Sequence, residues 1–354
     1  MTPRERRGGG GSWFDPAEVE RLAATRSSSG RRPQLRIDSA VTSLGAAGHA
    51  YRGHGALALA GTRSFEAVAE LLWTGRFPGP TPVWRARPDW VDTARRAIGG
   101  ISPSPGRALH VAVAAMGAAG DVEPLGVDTA RSAVASLAAV LGGDEPGSVA
   151  TAVTRAVSPV SRPEDVEVVE SALVLLADHG LAASTTAARL AGAYGAGVHD
   201  VLAAGLAVLA GPRHGAASTA AEGVLRSLLV GRSPEEVAAA ARLGGVPGIG
   251  QPLYPAGDPR FGVLLDAVAA ARADAPVLGV LDRLEVALAR AGAAAPNVDM
   301  GIAALVVALG LVPGSGETIF AMGRTAGWLA HAIEAASQPP LRLRATYVGP
   351  TPRR

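Results

Sequence analysis

Cysteine and lysine are both absent from the 354 residues of the chain. Without cysteine, disulfides, thiolate catalysis and cysteine-ligated zinc are excluded. Without lysine, anions are contacted by guanidinium groups, which are planar and permanently charged and match carboxylates and phosphates well. The formal net charge is only +2 and the sequence contains no long basic run, so composition gives no indication of nucleic-acid binding.

Aromatic residues are also scarce, at 4% of the chain, although hydrophobic residues reach 48%. A core of Ala, Leu, Val and Gly favours helices packed at close range over sheets. Apolar runs such as residues 303–311 are too short to span a membrane, and the N-terminus lacks the apolar stretch of a signal peptide. We therefore expect a cytoplasmic protein of one large or two moderate domains.

Helix signals cover nearly all of the chain from residue 34 onward, whereas strand signals are few. Ser64 is a suitable N-cap for a helix that begins at Phe65, and Asp258-Pro259 is a suitable helix start. Clusters of Gly and Pro at 142–147 and 244–250 predict breaks between helices. Further helices are predicted at 105–116, 127–141, 164–177, 184–194, 198–209, 259–273, 297–309 and 318–335.

Residues 1–33 differ in composition from the rest of the chain. Asp15, Pro16 and Glu18 form a capping pattern that predicts a helix from residue 16 to about residue 25. Residues 27–32 then read as a linker.

Several short motifs follow one another in a fixed order. They are Tyr51-Arg52-Gly53, Asp178-His179, Gly211-Pro212-Arg213-His214-Gly215, the segment from Gly248-Ile249-Gly250-Gln251 to Asp258-Pro259-Arg260, Pro296-Asn297-Val298-Asp299, the Arg324 to His331 segment, and Arg342. This ordered set resembles the citrate synthase family over about residues 35–350. One position departs from the family pattern, because Gln251 stands where the family has His.

The resemblance implies an all-α fold with two domains and a homodimer. The large helical domain would comprise residues 34–216 and 306–354, and residues 217–305 would form a smaller domain that closes over the site. The segment 1–33 resembles the wing and last helix of a MerR-like helix-turn-helix domain. Because the helices that would enter DNA are not present upstream of it, we expect no binding to nucleic acid.

The family's reaction joins acetyl-CoA to oxaloacetate and yields citrate and CoA. It requires a base at the acetyl methyl group, a donor at the thioester oxygen, a second donor at the ketone, and groups that hold the dicarboxylate. The resemblance implies no permanently bound cofactor and no metal, with acetyl-CoA as co-substrate. The matching residues are Asp299 as base, His214 as enol-stabilising donor, Gln251 at the ketone position, and His179, Arg260, Arg324 and Arg342 as oxaloacetate ligands, Arg342 acting in the partner subunit's site.

Two of these residues carry a further physical expectation. Asp299 lies between Val298 and Met300, so desolvation is expected to raise its pKa, and the neighbouring Asn297 is available as the helix cap in its place. His214 is expected to be a neutral imidazole, since the N–H groups of a helix start disfavour its charged form.

Gln251 leaves the function open. Its amide can hydrogen-bond a ketone but cannot deliver a proton, and losing a preorganised donor typically slows a reaction by about 10²–10³-fold. Pro255 also replaces a basic residue that often contacts CoA phosphate in the family. The alternatives are a 2-methylcitrate synthase that uses propionyl-CoA, and a non-catalytic metabolite-binding or regulatory protein. No role is assigned to the remaining histidines, which lack metal-ligand spacing: His49, His54, His110, His199 and His331.

Overall fold

The computed structural model describes residues 37–80, 83–99, 104–119, 123–143, 147–211, 214–340 and 342, together with the backbone of residues 5–6 and 12–13. Two compact units are present, Met1–Ser39 and Ala40–Arg354. In the first, the short strands β1 (Glu5–Arg6) and β2 (Ser12–Trp13) pair antiparallel. The helix predicted at 16–25 lies outside the described residues.

The second unit is built almost entirely from helices, which confirms the predicted all-α fold. Nine of the helices match predicted ones, with starts that differ by three residues at most. Within the described residues the helices are α1 (Ala56–Leu59), α2 (Phe65–Thr74), α3 (Pro88–Gly99), α4 (Pro105–Ala118), α5 (Val127–Gly142), α6 (Val149–Val157), α7 (Pro163–Leu176), α8 (Ala183–Ala193), α9 (Val198–Leu209), α10 (Ala217–Leu229), α11 (Pro234–Leu243), α12 (Pro259–Ala271), α13 (Pro276–Ala291), α14 (Val298–Ala308) and α15 (Ser315–Ala336).

Side-chain caps fix the starts of the helices that matter for the site. The Ser64 hydroxyl accepts a hydrogen bond from the Ala67 N–H, at 3.2 Å, at the start of α2. Asp258 caps α12 by accepting from the Arg260 N–H, and Asn297 caps α14. These contacts satisfy N–H groups that would otherwise lack partners in the first turn of each helix.

A small antiparallel sheet precedes the helices of this unit. It consists of β3 (Thr42–Gly45), β4 (Gly48–Tyr51) and β5 (His54–Gly55), and the weak strand signals in the sequence did not predict it. Successive side chains alternate between the faces of a strand, so His49 and Tyr51 lie on the same face of β4. Both are buried, and the sheet thereby places a histidine and a tyrosine in the interior.

Helix α15 runs through the core, and most of its residues are buried. Its neighbours approach closely because small residues line the contacts. A Cβ added at Gly205 of α9 would lie 2.4 Å from the Trp328 ring, and one at Gly327 would lie 2.3 Å from the Asp178 carboxylate. The helices therefore pack at close range, as the scarcity of aromatic residues in the sequence indicated.

Two hydrophobic clusters form the core of the second unit. The larger one includes α2, α4 to α9 and α15, and the smaller one is centred on α10, α11 and α13. Helices α12 and α14 contribute to both clusters. The smaller cluster lies within residues 217–305, but the domain boundaries themselves stay a prediction. No helix in the described part of the chain is long and apolar enough to cross a bilayer.

Candidate active site

Asp299 lies in the first turn of α14 and is free of a capping role. The Asn297 side chain accepts the Asp299 N–H at 2.9 Å, so Asn297 provides the cap, as the sequence suggested. Asn297 also donates from its amide to the Gly250 carbonyl, at 2.8 Å, and its backbone N–H donates to the Gly248 carbonyl, at 2.9 Å. This one residue therefore ties the Gly248–Gly250 loop, which leads into Gln251, to the helix that carries Asp299.

The Asp299 carboxylate is strongly desolvated. Its Oδ1 atom is buried and has no hydrogen-bond partner among the described residues. Burial raises the pKa of Asp299 from 3.8 to about 6, against the opposing effect of the Arg260 and Arg324 charges. A carboxyl group with this pKa is mostly ionised at neutral pH and is a stronger base than an exposed aspartate.

His214 lies in the turn that precedes α10. Its Nε2 atom is 2.7 Å from the Ser184 hydroxyl at the start of α8, and its ring packs edge-on against Phe320 of α15. Burial, followed by the charge of Arg324, lowers the pKa of His214 to about 4. The imidazole is therefore neutral at physiological pH, as predicted, but burial and Arg324 are the causes rather than the N–H groups of the helix start.

Arg324 is a buried cation without an anionic partner. It is 1% exposed, and its Nε donates to the Leu176 carbonyl at 2.7 Å. It forms no ion pair with any residue that the structure describes, and burial lowers its pKa. A guanidinium group that is buried and unpaired is costly unless an anion binds beside it. The charges of Asp178 and Asp299 act on Arg324 from beyond ion-pair distance and raise its pKa, against the larger effect of burial.

Arg260 is buried as well, at 2% exposed, but it is paired. Its Nε and one terminal nitrogen donate to the two carboxylate oxygens of Asp258, at 2.9 and 2.7 Å. Asp258 also accepts from the Val298 N–H at 3.1 Å, which ties the start of α12 to the start of α14. The Arg260 guanidinium is therefore held rigidly, with donors remaining for a second anion.

His179 follows α7 and makes a hydrogen bond with the Tyr254 hydroxyl, 2.8 Å from its Nε2. The ring of His49 packs edge-on against His179 at 5.3 Å. Burial, then the charges of Arg260 and Arg324, lowers the pKa of His179 to about 2 and that of His49 to about 3. Both imidazoles are neutral, and neither His49 nor Tyr254 was assigned a role from the sequence.

Asp178, which precedes His179 in the chain, belongs to a buried network with His331 and Arg189. The His331 Nε2 lies 3.2 Å from the Asp178 carboxylate, which also accepts the Gly180 N–H at 2.8 Å. Burial alone would raise the pKa of Asp178, but His331 and Arg324 hold it at about 2. Arg189 lies beside His331 and pairs with Glu334 at 2.6 Å. Sequence reasoning missed His331, because its partner Asp178 is 153 residues away.

The predicted residues do not all meet. Arg324 acts electrostatically on His179, His214 and Asp299, so each of these three groups lies within electrostatic range of Arg324, and Arg260 acts on His179 and Asp299 as well. Gln251 is half-buried at the end of the loop that Asn297 holds. Arg342 is exposed and follows the last helix, so its predicted role in a partner subunit stays a prediction.

Two other features carry no part of this chemistry. Among the described residues, no group of three or more His, Asp or Glu side chains is placed to hold a metal ion. A cavity of about 810 Å³ is lined by residues that include Ser64, Glu66 and Trp84, and none of the site residues borders it.

Fold and site together define a mainly helical protein in which a desolvated acid and neutral imidazoles lie within electrostatic range of a buried guanidinium that forms no ion pair among the described residues. The model of the citrate synthase family, described as its C-terminal domain, matches residues 34–344. The chain belongs to the citrate synthase family. Residues 1–33 lie outside the matched range, and their resemblance to a MerR-like domain stays a prediction.

Curated relatives agree with this assignment. The chain is 29% identical to a citrate synthase of Mycolicibacterium smegmatis over 340 residues, which cover 84% of this chain and 88% of that one. It is 31% identical to a citrate synthase of Saccharolobus solfataricus and 32% identical to citrate synthase 2 of Bacillus subtilis. The chain spans about half the length of these last two relatives, with 53% and 52% of them covered.

Solved structures share the fold. A citrate synthase of Thermoplasma acidophilum, in a ternary complex with carboxymethyl coenzyme A and oxaloacetate, matches with a TM-score of 0.75 at 22% identity. The match covers 92% of this chain and 97% of that one. A citrate synthase of Pyrobaculum aerophilum matches with a TM-score of 0.69 at 23% identity, over 92% of this chain and 93% of that one.

Proposed function

We propose that the chain condenses the acetyl group of acetyl-CoA with the ketone of oxaloacetate, and that water then hydrolyses the thioester of the condensation product to release citrate and CoA. The observation that carries this proposal is the desolvated Asp299 carboxylate within electrostatic range of the buried Arg324, which forms no ion pair among the described residues. A base of raised pKa and a fixed cation in one region are what proton abstraction next to a bound dicarboxylate requires. Among the structural relatives, the Thermoplasma citrate synthase is described in a ternary complex with carboxymethyl coenzyme A and oxaloacetate.

The first step is enolisation of acetyl-CoA. Asp299, ionised at neutral pH, takes a proton from the methyl group. The neutral imidazole of His214 donates a hydrogen bond to the thioester oxygen and stabilises the negative charge that develops there. Because the pKa of His214 is about 4, its imidazole is uncharged at neutral pH. It can therefore donate a hydrogen bond to the thioester oxygen without transferring a proton to it.

Oxaloacetate would be held by the cationic side of the site. Arg324 supplies a guanidinium that lacks an anionic partner, and Arg260 supplies the donors that Asp258 leaves over. His179 would provide a neutral hydrogen bond beside them. Positioning both reactants in this way accounts for much of the acceleration in a two-substrate reaction.

Closure and dimerisation belong to the same proposal. Residues 217–305 would close over residues 34–216 and 306–354, which excludes water during enolisation. Arg342 would complete the site of a partner subunit in a homodimer.

The test is release of CoA from acetyl-CoA plus oxaloacetate, measured for the unaltered chain and for Gln251→His. The same assay with propionyl-CoA decides between citrate and 2-methylcitrate as product. Turnover by the unaltered chain supports the enzyme, and equal rates for Gln251→His would mean that the amide is an adequate substitute.

The opposite outcome would favour the non-catalytic alternative. If the unaltered chain shows no turnover with either acyl-CoA while Gln251→His restores it, the proposed activity is wrong for this chain. Oxaloacetate would then still raise the melting temperature of the protein, because the ligand binds the folded state. Arg324→Leu is the control in that measurement and should abolish the effect.

A further inference from the structure

Tyr254 places a phenol hydroxyl beside His179 and Arg260, which are proposed to bind oxaloacetate. It is 3% exposed, and its hydroxyl lies 2.8 Å from the Nε2 of His179. The Arg260 guanidinium lies 5.6 Å from the centre of its ring. The Tyr254 N–H donates to the Gln251 carbonyl at 2.9 Å, so Tyr254 and Gln251 belong to one turn.

The proposed reaction leaves one proton without a source. The ketone oxygen becomes an alkoxide when the carbon–carbon bond forms, and the Gln251 amide can hydrogen-bond that oxygen but cannot protonate it. His179 and His214 are already neutral, and Arg324 and Arg260 do not deprotonate.

Two other hydroxyl groups are already engaged. Ser184 bonds to His214, and the fully buried Tyr51 donates to the Val174 carbonyl at 2.8 Å. Among the described residues, Tyr254 is the hydroxyl of phenol acidity that contacts His179. Its pKa is raised by burial, so the phenol carries its proton at neutral pH.

We propose that Tyr254 is the general acid that protonates the ketone oxygen of oxaloacetate, in the place of the missing imidazole at position 251. This inference rests on the proposed condensation. An aliphatic alkoxide is more basic than a phenolate, so the transfer is favourable, and the resulting phenolate would lie near the Arg260 guanidinium. His179, which hydrogen-bonds the hydroxyl, would orient it.

The step balances without a further reactant. The electron pair of the methyl C–H bond passes through the enolate into the new carbon–carbon bond, and the ketone π electrons move to oxygen. That oxygen takes the Tyr254 proton, while Asp299 retains the proton from the methyl group. One proton has thus been gained at Asp299 and one lost at Tyr254, and exchange with water restores both groups before the next turnover.

The test is Tyr254→Phe, made in the unaltered chain and in the Gln251→His background. In the unaltered chain we expect kcat to fall about 10²-fold or more, with a smaller change in KM for oxaloacetate. In the Gln251→His background the loss should shrink to about tenfold or less, because the imidazole then supplies the proton. The exposed Tyr194→Phe is the matched control and should leave both backgrounds unchanged.

A second readout separates acid catalysis from a structural role. Exchange of the acetyl-CoA methyl protons with deuterated water, in the presence of malate, reports enolisation alone, since malate has no ketone to attack. Tyr254→Phe should preserve this exchange, and circular dichroism should show an intact fold.

Four outcomes would overturn the inference. An equal loss in both backgrounds would assign Tyr254 a structural role, and unchanged turnover in Tyr254→Phe would show that it donates no proton. If Tyr254→Phe binds oxaloacetate more tightly and turns over faster than the unaltered chain, the Tyr254 hydroxyl merely competes with oxaloacetate for His179. Absence of turnover in the unaltered chain would overturn the proposed function together with this inference. Turnover that is present in the unaltered chain and unchanged in Tyr254→Phe would overturn the inference alone.

Discussion

Replacing Asp299 by Asn removes the charge at the centre of the proposed mechanism and keeps the shape of the side chain. Burial raises the pKa of this carboxyl to about 6 in the folded protein, against 3.8 for an ordinary aspartate such as that of the unfolded chain. Between these two values the folded state holds a proton that the unfolded state has lost. The folded state therefore loses stability as pH rises through this interval.

The magnitude follows from the two pKa values. At about 1.36 kcal/mol for each pKa unit, the ionised Asp299 costs the folded state about 3 kcal/mol. The cost is absent at pH values below 3.8 and complete above about 6. A helix dipole favours an acidic residue in the first turn by only about 0.3–1 kcal/mol, which is too little to reverse the sign.

The assay is urea unfolding followed by circular dichroism across pH 4 to 7.5, for the unaltered chain and for Asp299→Asn. We expect the variant to gain about 2–3 kcal/mol relative to the unaltered chain between about pH 4 and 7. The control Asp274→Asn removes one exposed carboxylate and reports the effect of net charge. A stability difference for Asp299→Asn that does not change with pH would refute the reasoning.

Activity must move in the opposite direction to stability. Asp299→Asn is expected to lower kcat for CoA release by about 10²–10⁴-fold, since the base is gone. In the unaltered chain the same carboxyl must be ionised to act, so kcat/KM should fall as pH drops below about 6. If Asp299→Asn is more stable and yet inactive, the burial of Asp299 lowers the stability of the protein but is required for its activity.

Three further changes test other parts of the molecule. Arg324→Lys should lower kcat/KM for oxaloacetate about 10- to 100-fold, because an ammonium group lacks the planar fork, and an unchanged value would remove this arginine from the anion site. Gly205→Ala should lower the free energy of unfolding by about 1–3 kcal/mol in urea, as its Cβ would lie 2.4 Å from an indole ring, whereas Gly223→Ala, with open space around it, should not. Mixing inactive His214→Gln and Arg342→Ala chains should restore about a quarter of the unaltered activity if each site draws on both subunits, and no recovery would contradict the shared site.

Local signals made much of this fold predictable from the sequence. Ser64, Asp258 and Asn297 each precede a helical apolar pattern, and each proves to be the cap that the pattern indicates. Six helices were not predicted from the sequence: α1, α3, α6, α10, α11 and α13. Three of them begin with a Pro and α6 follows a capping Ser, signals that the prediction passed over, whereas α10 has no side-chain cap.

Motif order singled out candidate site residues, whose roles stay a proposal, but it did not indicate the contacts among them. Motif order pointed to Asp299, His214 and Arg324, which the structure brings to one region. It gave no sign that Tyr254 meets His179, 75 residues away, or that His331 meets Asp178. Such contacts depend on how helices pack, and no local pattern in the chain encodes a pairing at that separation.

The use of arginine rather than lysine affects the charge state of the histidines at this site. His49, His179 and His214 are neutral because burial and the charge of neighbouring arginines both disfavour their protonation. A buried lysine at the position of Arg324 could lose its own proton and so release that constraint, whereas a guanidinium keeps its charge. The permanent cation therefore helps to keep the surrounding imidazoles in the neutral form, and in the proposed reaction it would also be available to a substrate carboxylate. Binding of a dianion beside Arg324 would weaken its effect on the imidazoles, which makes the protonation of these histidines sensitive to whether the site is filled.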